Sequence, residues 1–338
     1  MNIDVNQDVD VTVVGAGPVG LVLAAELALS GATVQVLERL AEPSEAMKAG
    51  SINVPTAEAL DRRGLLPAAE SVQREILERV GSFAPIADDP RPGGDRRAHE
   101  SRFTGHFAGT VLDAGLVDWS DADLAAHVHS PFGGQGLNLG VGDAMNLGWK
   151  LGAVVAGWAP EGLLDTYDAE RRPLGAWVLD WTRAQIGVMR GDAKSAALRE
   201  VVADLLSTRD GTTYAVKKIS GVTQRIDLPG DHPLVGRYVP DLWLTDGSRL
   251  SDHGHGGGFL LLDRTPDGTF ARLAAAWAGR VRIVTDDHAT PTGVLVRPDG
   301  VVAWASDTTD VAATTGLEAA LHGWAGAPSP SPDHAPMG

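Results

Sequence analysis

Apolar and polar positions first fall into order near the N-terminus. The run DVTVV at 10–14 leads into Gly15-Ala16-Gly17-Pro18-Val19-Gly20, and LVLAAELALSG then places its apolar residues at helical spacing. A second apolar run, Thr33 to Leu37, ends in Glu38. Strand, glycine turn, helix and strand are predicted in that order. An amphipathic helix is predicted from Asn53 to Gly64, with Val54, Ala57 and Leu60 on one face. Residues 81–105 are rich in Pro, Gly and Arg and predict a loop, followed by a third strand near His106 to Leu112. A long helix is predicted from about Asn138 to Gly157. Between Glu161 and Ala184, the residues Leu163, Leu164, Tyr167, Leu174, Trp177, Val178 and Trp181 predict two helical pieces divided by Pro173, their aromatics serving as core. From about Pro240 the pattern changes to short strands at 258–263, 280–285 and 293–305, the last a hairpin turning at Pro298-Asp299-Gly300. Helices are expected at 269–278 and 311–325.

Composition narrows the function classes. The chain's 338 residues accommodate two domains, and 43% hydrophobic with 21% charged residues is enough apolar material for cores. A formal charge of −16 argues against a nucleic-acid partner, which needs a concentrated basic face. The absence of cysteine removes disulfides, thiolate metal sites and redox thiol pairs. No stretch approaches the roughly 18 apolar residues of a membrane span, and MNIDVNQDVD lacks a basic n-region. A cytoplasmic protein without a membrane partner is expected. Lysine occurs only at 48, 150, 194, 217 and 218, so Arg supplies most of the basic residues, and Ala and Gly are abundant; this points to a GC-rich bacterial source.

Two glycine-rich turns carry the candidate chemistry. In the first, Gly15 allows a tight turn, Gly17 lets a pyrophosphate approach the backbone, and Gly20 lets the helix pack against the sheet. The helix N-terminus then faces the phosphates. Glu38 stands 18 positions after Gly20 at a strand tip, where a carboxylate accepts two ribose hydroxyls. Lys48 has two readings, a cation within reach of the pyrophosphate or a solvated loop residue. The second turn runs from His127 to Asn138 and opens into the long helix, aiming backbone N–H groups at an acceptor edge such as that of a reduced flavin. His127 and His129 lack a third ligand at a useful spacing, and His253 and His255 flank a flexible turn, so no metal site is assigned.

Taken together, GAGPVG, the run AHVHSPFGGQGLNLGVGDAMNLGWKL at 126–151 and the run LLDTYDAERRPLGAWVLDWTRAQ at 163–185 resemble the class A FAD-dependent monooxygenases, and most of all the aromatic polyketide hydroxylases of antibiotic biosynthesis. The resemblance implies an α/β fold, with a truncated Rossmann-like FAD-binding domain and a thioredoxin-like C-terminal domain. It implies FAD and NADPH as cofactors and an aromatic polyketide as substrate. Gly15, Gly17 and Gly20 would contact the FAD pyrophosphate and Glu38 its ribose, with Pro18 and Arg39 completing that set. Lys48 stands near a position where the family often carries Arg. Pro131 and the backbone of Gly133, Gly136, Leu137 and Asn138 would lie against the isoalloxazine ring. No catalytic acid or base is named, because the cofactor carries the reaction in this chemistry.

The family pattern breaks near 118–127, where VDWSDADLAA at 117–126 stands in place of the strand ending in Gly-Asp. The Asp-Gly motif and the β-rich substrate domain are missing as well. The expected organisation is a truncated FAD-binding domain at 1–190 with its junction at 118–127, a helical linker at 191–239, a thioredoxin-like domain at 240–326 and a disordered tail at 327–338. Two or three strands are few for a parallel sheet, so irregular packing, a homodimer or a segment-exchanged dimer is expected to make up the shortfall. The lost segments leave two alternatives open beside the hydroxylase: a scaffold that assembles with a full-length homologue, or a non-redox cyclase-type enzyme of the same pathway.

Overall fold

β1 (Val11–Val14) and β2 (Val34–Leu37) pair in parallel, Val11 opposite Val34, with α1 (Pro18–Leu29) as the crossover between them. This is the βαβ start of a Rossmann-like domain. The computed structural model describes residues 8–42, 52–80, 104–107, 110–113, 135–287 and 289–329. By its contacts the chain divides into two units, residues 1–48, 139–175 and 225–338 in one and residues 49–138 and 176–224 in the other.

In the first unit the β1–β2 ribbon is covered by α1 and by the long helix α4 (Gln135–Val155), through a small core of Val13, Leu27 and Ala32 with Leu151 against it. The two helices meet along glycines. A Cβ on Gly140 would lie 2.7 Å from Val19 Cγ2, one on Gly148 2.5 Å from Glu26 Cβ, and one on Gly152 2.4 Å from Ser30 Cβ. With buried Ala144 between them, these small residues recur every fourth position and form one ridge of α4, so α1 approaches nearly to backbone contact.

The opposite side of α4 faces a second, four-stranded sheet of β5 (Phe259–Asp263), β6 (Val281–Thr285), β7 (Gly293–Val296) and β8 (Val302–Ser306), in the order β6-β5-β7-β8. β5 runs parallel to β6 and antiparallel to β7, and β7 runs antiparallel to β8. That order is thioredoxin-like, and the strands and the Pro298-Asp299-Gly300 turn lie where the sequence pattern puts them. β5 is buried along its whole length because both faces are covered. Phe259 and Leu261 join Trp149, Ala153 and Leu317 in one cluster, while Leu260 and Leu262 join Ile226, Leu228 and Val235 in another. Buried Asp263 ends the strand and accepts the N–H groups of Thr265 (2.8 Å) and Ala271 (2.7 Å), anchoring the short helix α8 (Thr269–Ala274). α9 (Val311–Ala325) closes the sheet, capped by Asp310, which accepts the Ala313 N–H. Part of the expected tail is held in place: Arg280 donates to the carbonyls of Ala325 and Ala327, and Ser329 N–H donates to Ala276 O at 2.8 Å.

The second unit contains α2 (Val54–Arg62), α3 (Leu66–Val80), the β3–β4 hairpin (Thr104–Phe107 and Thr110–Asp113), α6 (Ala193–Leu206) and α7 (Arg209–Ser220). α2 begins at Asn53, whose side chain accepts the Thr56 N–H, and Gly64 follows it at φ 68°, close to the bounds set by the amphipathic pattern. Two sequence expectations are corrected here. The stretch expected as a third strand of the nucleotide domain instead falls across both arms of an antiparallel hairpin that forms its own sheet. Only two positions separate its strands, which suffices for a hairpin and not for the crossover that a parallel pairing requires. The loop expected over 81–105 gives way to β3 at its last two positions, and its other residues lie outside the described ones.

Two helix boundaries also differ. α4 starts at Gln135, three residues before the expected Asn138. Pro173 does not divide two helices: α5 (Asp165–Met189) runs through it unbroken. A mid-helix proline costs about 3 kcal/mol, and in the preceding turn the buried Glu170 and Arg171 each hold the helix through ion pairs. The aromatics of this helix are half-buried; Trp181 packs against the core cluster of Leu206, Ala215, Val216 and Ile219 and stacks on Trp177 with centroids 5.5 Å apart.

Candidate functional site

The first candidate cradle is built by β1, the glycine turn, α1 and the tip of β2. Gly15 adopts φ 108° and donates its N–H to Leu37 O at 2.7 Å, which ties the turn to the second strand. Gly20 lies so close to the turn that a Cβ there would come within 2.0 Å of Gly15 O. Around Gly17 the space is open, with no atom within 4 Å of where a Cβ would stand. Gly17 is the N-cap of α1 and brings no side-chain cap; Pro18 follows at the first helical position, where its missing N–H costs nothing. The helix therefore presents uncapped backbone donors and the positive end of its dipole to an open surface.

Glu38 closes this arrangement from the other side. Its Oε1 accepts the Leu40 N–H at 2.9 Å and its Oε2 accepts the Ala16 N–H at 2.8 Å, across the glycine turn. These two backbone hydrogen bonds, Leu40 first, hold its carboxyl below the ordinary glutamate range and keep it ionised. An N–H in the turn that takes a carboxylate oxygen is a donor suited to an anion. The open space at Gly17, the uncapped helix start and an ionised acceptor at the strand tip fit a dinucleotide such as FAD. Arg39 is exposed beside them.

The other residues expected at the site divide between two groups. Lys48, Pro131, Gly133, His127 and His129 lie outside the described residues. Gly136, Leu137 and Asn138 form the first turn of α4 within the second unit. Gly136 is exposed with open space around it, and Leu137 is half-buried. Asn138 is buried, and its Oδ1 accepts the N–H of Asn53 at 2.8 Å, clamping the start of α2 to the start of α4. Buried Gln135 donates from Nε2 to Ile219 O at 3.3 Å, fixing the same turn against α7. The side chains at this helix start are thus turned inward, which leaves the open approach to Gly136.

One buried cluster escaped sequence reasoning. Lys150, Glu170, Arg297 and Asp299, from α4, α5 and the β7–β8 turn, are all nearly inaccessible to solvent. Arg297 donates to both Glu170 oxygens at 2.9 and 2.8 Å and to Asp299 at 2.6 Å, while Asn146 Nδ2 bridges Glu170 (2.8 Å) and Asp299 (2.9 Å). Lys150 Nζ lies 3.1 Å from Glu170 Oε2 as an ion pair but off hydrogen-bond geometry. Burial, reinforced by Arg297, pulls the Lys150 ammonium down to about 8. The Arg297 guanidinium offsets the burial cost at Asp299 and holds that carboxyl at about 2. The four charges cancel, which makes the cluster a clamp rather than a site of chemistry. A lysine within the apolar run LGWKLG was the available signal. Among the described residues no group of acids and histidines is arranged to hold a metal ion, and no helix is long and apolar enough to cross a membrane.

Comparison with known proteins supplies the context of this geometry. A family model of the FAD binding domain matches residues 8–85 and 123–182, and one of the aromatic-ring hydroxylase C-terminal region matches residues 232–328. A 12-dehydrotetracycline 5-monooxygenase/anhydrotetracycline 6-monooxygenase of Streptomyces rimosus is 45% identical over 283 residues, covering 80% of this chain and 53% of that protein. A dialkyldecalin synthase of Streptomyces rugosporus is 38% identical over 268 residues, covering 75% of this chain and 50% of that protein. Among solved structures, the OxyS anhydrotetracycline hydroxylase of Streptomyces rimosus superposes with a TM-score of 0.72 at 29% identity, over 95% of this chain and 100% of that one. The chain spans about half the length of the curated relatives it matches. With a glycine turn and acidic strand tip in its N-terminal part and a thioredoxin-like sheet under the C-terminal match, the chain carries the FAD binding domain and the C-terminal region of the aromatic-ring hydroxylases.

Proposed function

We propose that this protein binds FAD and, with NADPH as reductant, hydroxylates an aromatic polyketide in antibiotic biosynthesis. The observation that carries the reading is the open, uncapped start of α1 at Gly17 facing the ionised Glu38. Gly15, Gly17, Pro18 and Gly20 would receive the pyrophosphate on the α1 N–H groups. Glu38 would exchange its Ala16 and Leu40 partners for the two ribose hydroxyls, and Arg39 and Lys48 would add positive charge near the phosphates. Pro131 and the backbone of Gly133, Gly136, Leu137 and Asn138 would back the ring system. When bound, FAD supplies the electron transfer and oxygen activation that no side chain can provide. The protein's share is to position cofactor and substrate and to exclude water.

The visible spectrum of the purified protein, followed by titration with FAD, tests the cradle. A bound-flavin spectrum is expected, and a folded chain that binds no FAD refutes the reading. Activity is tested by NADPH and oxygen consumption in the presence of anhydrotetracycline. The similarity to a dialkyldecalin synthase favours one rival, a non-redox cyclisation on the same scaffold. That rival predicts substrate conversion under argon without NADPH.

A further inference from the structure

An open cavity of about 690 Å³ lies in the C-terminal part of the first unit, and none of its lining residues belongs to the glycine turn. Its size falls within the range of small-molecule sites, about 300 to 1,000 Å³. Leu163 and Leu228 contribute apolar wall, and Trp304 and Trp324 contribute two indoles. On one side α9 presents Gly316, Ala320 and Gly323, small enough to leave the space clear. The charged groups are all acids. Glu161 and Asp227 are exposed, and Glu170 is buried with its charge already matched by Arg297. Among the described residues no basic side chain lines the cavity.

We propose that this cavity is a second ligand site, one that takes a small planar aromatic cation. Indole walls favour a flat π-system and attract positive charge through their faces. Glu161 and Asp227, which form no salt bridge among the described residues, attract an ammonium or aromatic amine and repel an anion. Trp324 already makes a contact of this kind, with the Arg297 guanidinium 4.6 Å from its ring centroid. The site is independent of the flavin reading, since its residues are separate from the cradle and its ligand carries the opposite charge to a dinucleotide.

The test titrates the 338-residue chain, with no added flavin, using three probes of one ring system: 9-aminoacridine (cationic), acridine (neutral) and acridine-9-carboxylate (anionic). Calorimetry and tryptophan fluorescence provide the readouts. The cation is expected to bind one per chain, at least about tenfold more tightly than the anion, a difference of 1.4 kcal/mol. Gly323→Phe fills the cavity without changing net charge, and a Cβ at Gly323 meets no atom within 4 Å, so the helix tolerates it. It should weaken the cation at least about tenfold. The pair Glu161→Gln and Asp227→Asn should bring the cation down to the affinity of neutral acridine. Absence of saturable binding overturns the proposal. So does cation binding that survives Gly323→Phe unchanged, which is the signature of diffuse attraction to an acidic chain. If Gly323→Phe fails to fold, unchanged cation affinity in the charge-pair variant overturns the proposal by itself.

Discussion

Arg297 and Glu170 stand 127 positions apart in the chain and meet in the interior through two parallel hydrogen bonds of 2.9 and 2.8 Å. The guanidinium also lies 5.5 Å from the ring centroid of Trp149. This bidentate pair locks α5 to the β7–β8 turn, and geometry of this kind is specific to arginine. Arg297→Met removes the guanidinium shared by Glu170 and Asp299 and leaves two buried carboxylates with the Lys150 ammonium as their remaining neighbour of opposite charge in the cluster. A loss of about 3 to 5 kcal/mol is expected in urea unfolding, and Arg297→Lys should recover only part of it.

The same cluster sets a pH dependence with two limbs. The Asp299 and Glu170 carboxyls are held below their ordinary values in the folded protein, Asp299 at about 2. Their stabilisation is complete above the unfolded carboxylate range and is lost as pH falls toward 2. Lys150 behaves in the opposite sense. Its folded value of about 8 lies below the ordinary 10.5, so between these values the unfolded chain binds the extra proton and stability rises with pH. Lys150→Met should abolish the alkaline rise and leave the acid limb in place. Denaturation midpoints measured from pH 2 to 10 check both limbs.

The glycine ridge of α4 predicts a steric rather than an electrostatic failure. A Cβ on Gly148 would come 2.5 Å from Glu26 Cβ, a contact that cannot be relieved by rotating a side-chain end. Gly148→Val should destabilise the fold by about 1 to 3 kcal/mol or more through overpacking. Gly136→Val, at an open position, should not approach that effect. Thermal melting of the two variants makes the comparison.

At the candidate cradle, Gly17→Leu separates binding from folding. Its side chain enters open space, so the melting temperature should hold, while FAD affinity falls at least about tenfold because the pyrophosphate can no longer reach the α1 N–H groups. Gly20→Ala should harm both, because its Cβ meets Gly15 O at 2.0 Å. Unchanged FAD affinity in Gly17→Leu would remove the fingerprint from the reading.

Features set by neighbouring residues were legible in the sequence. The turn at Gly15 to Gly20, the helix between Asn53 and Gly64 and the run FLLLD all depend on local spacing, and each lies close to where the pattern put it. The hairpin at 104–113 was misread because an apolar run does not say which strand it will join. Pro173 was misread because its local cost is offset by Glu170, whose partner is 127 positions away. The Asn53–Asn138 clamp joins residues 85 positions apart, and the Asn146–Asp299 bond spans 153. Such pairings follow from tertiary packing, on which local periodicity carries no information.

The ridge of Gly140, Gly148 and Gly152 has a consequence for the chain's history. It joins α1, from the first stretch matched by the FAD-domain model, to α4, from the second, and uses no residue of the interval between. Change in that interval, including wholesale loss or replacement of sequence, leaves the joint untouched. By the same reasoning, a chain cut within the interval should reassemble from its two fragments, because the surfaces that recognise each other lie wholly on either side of the cut.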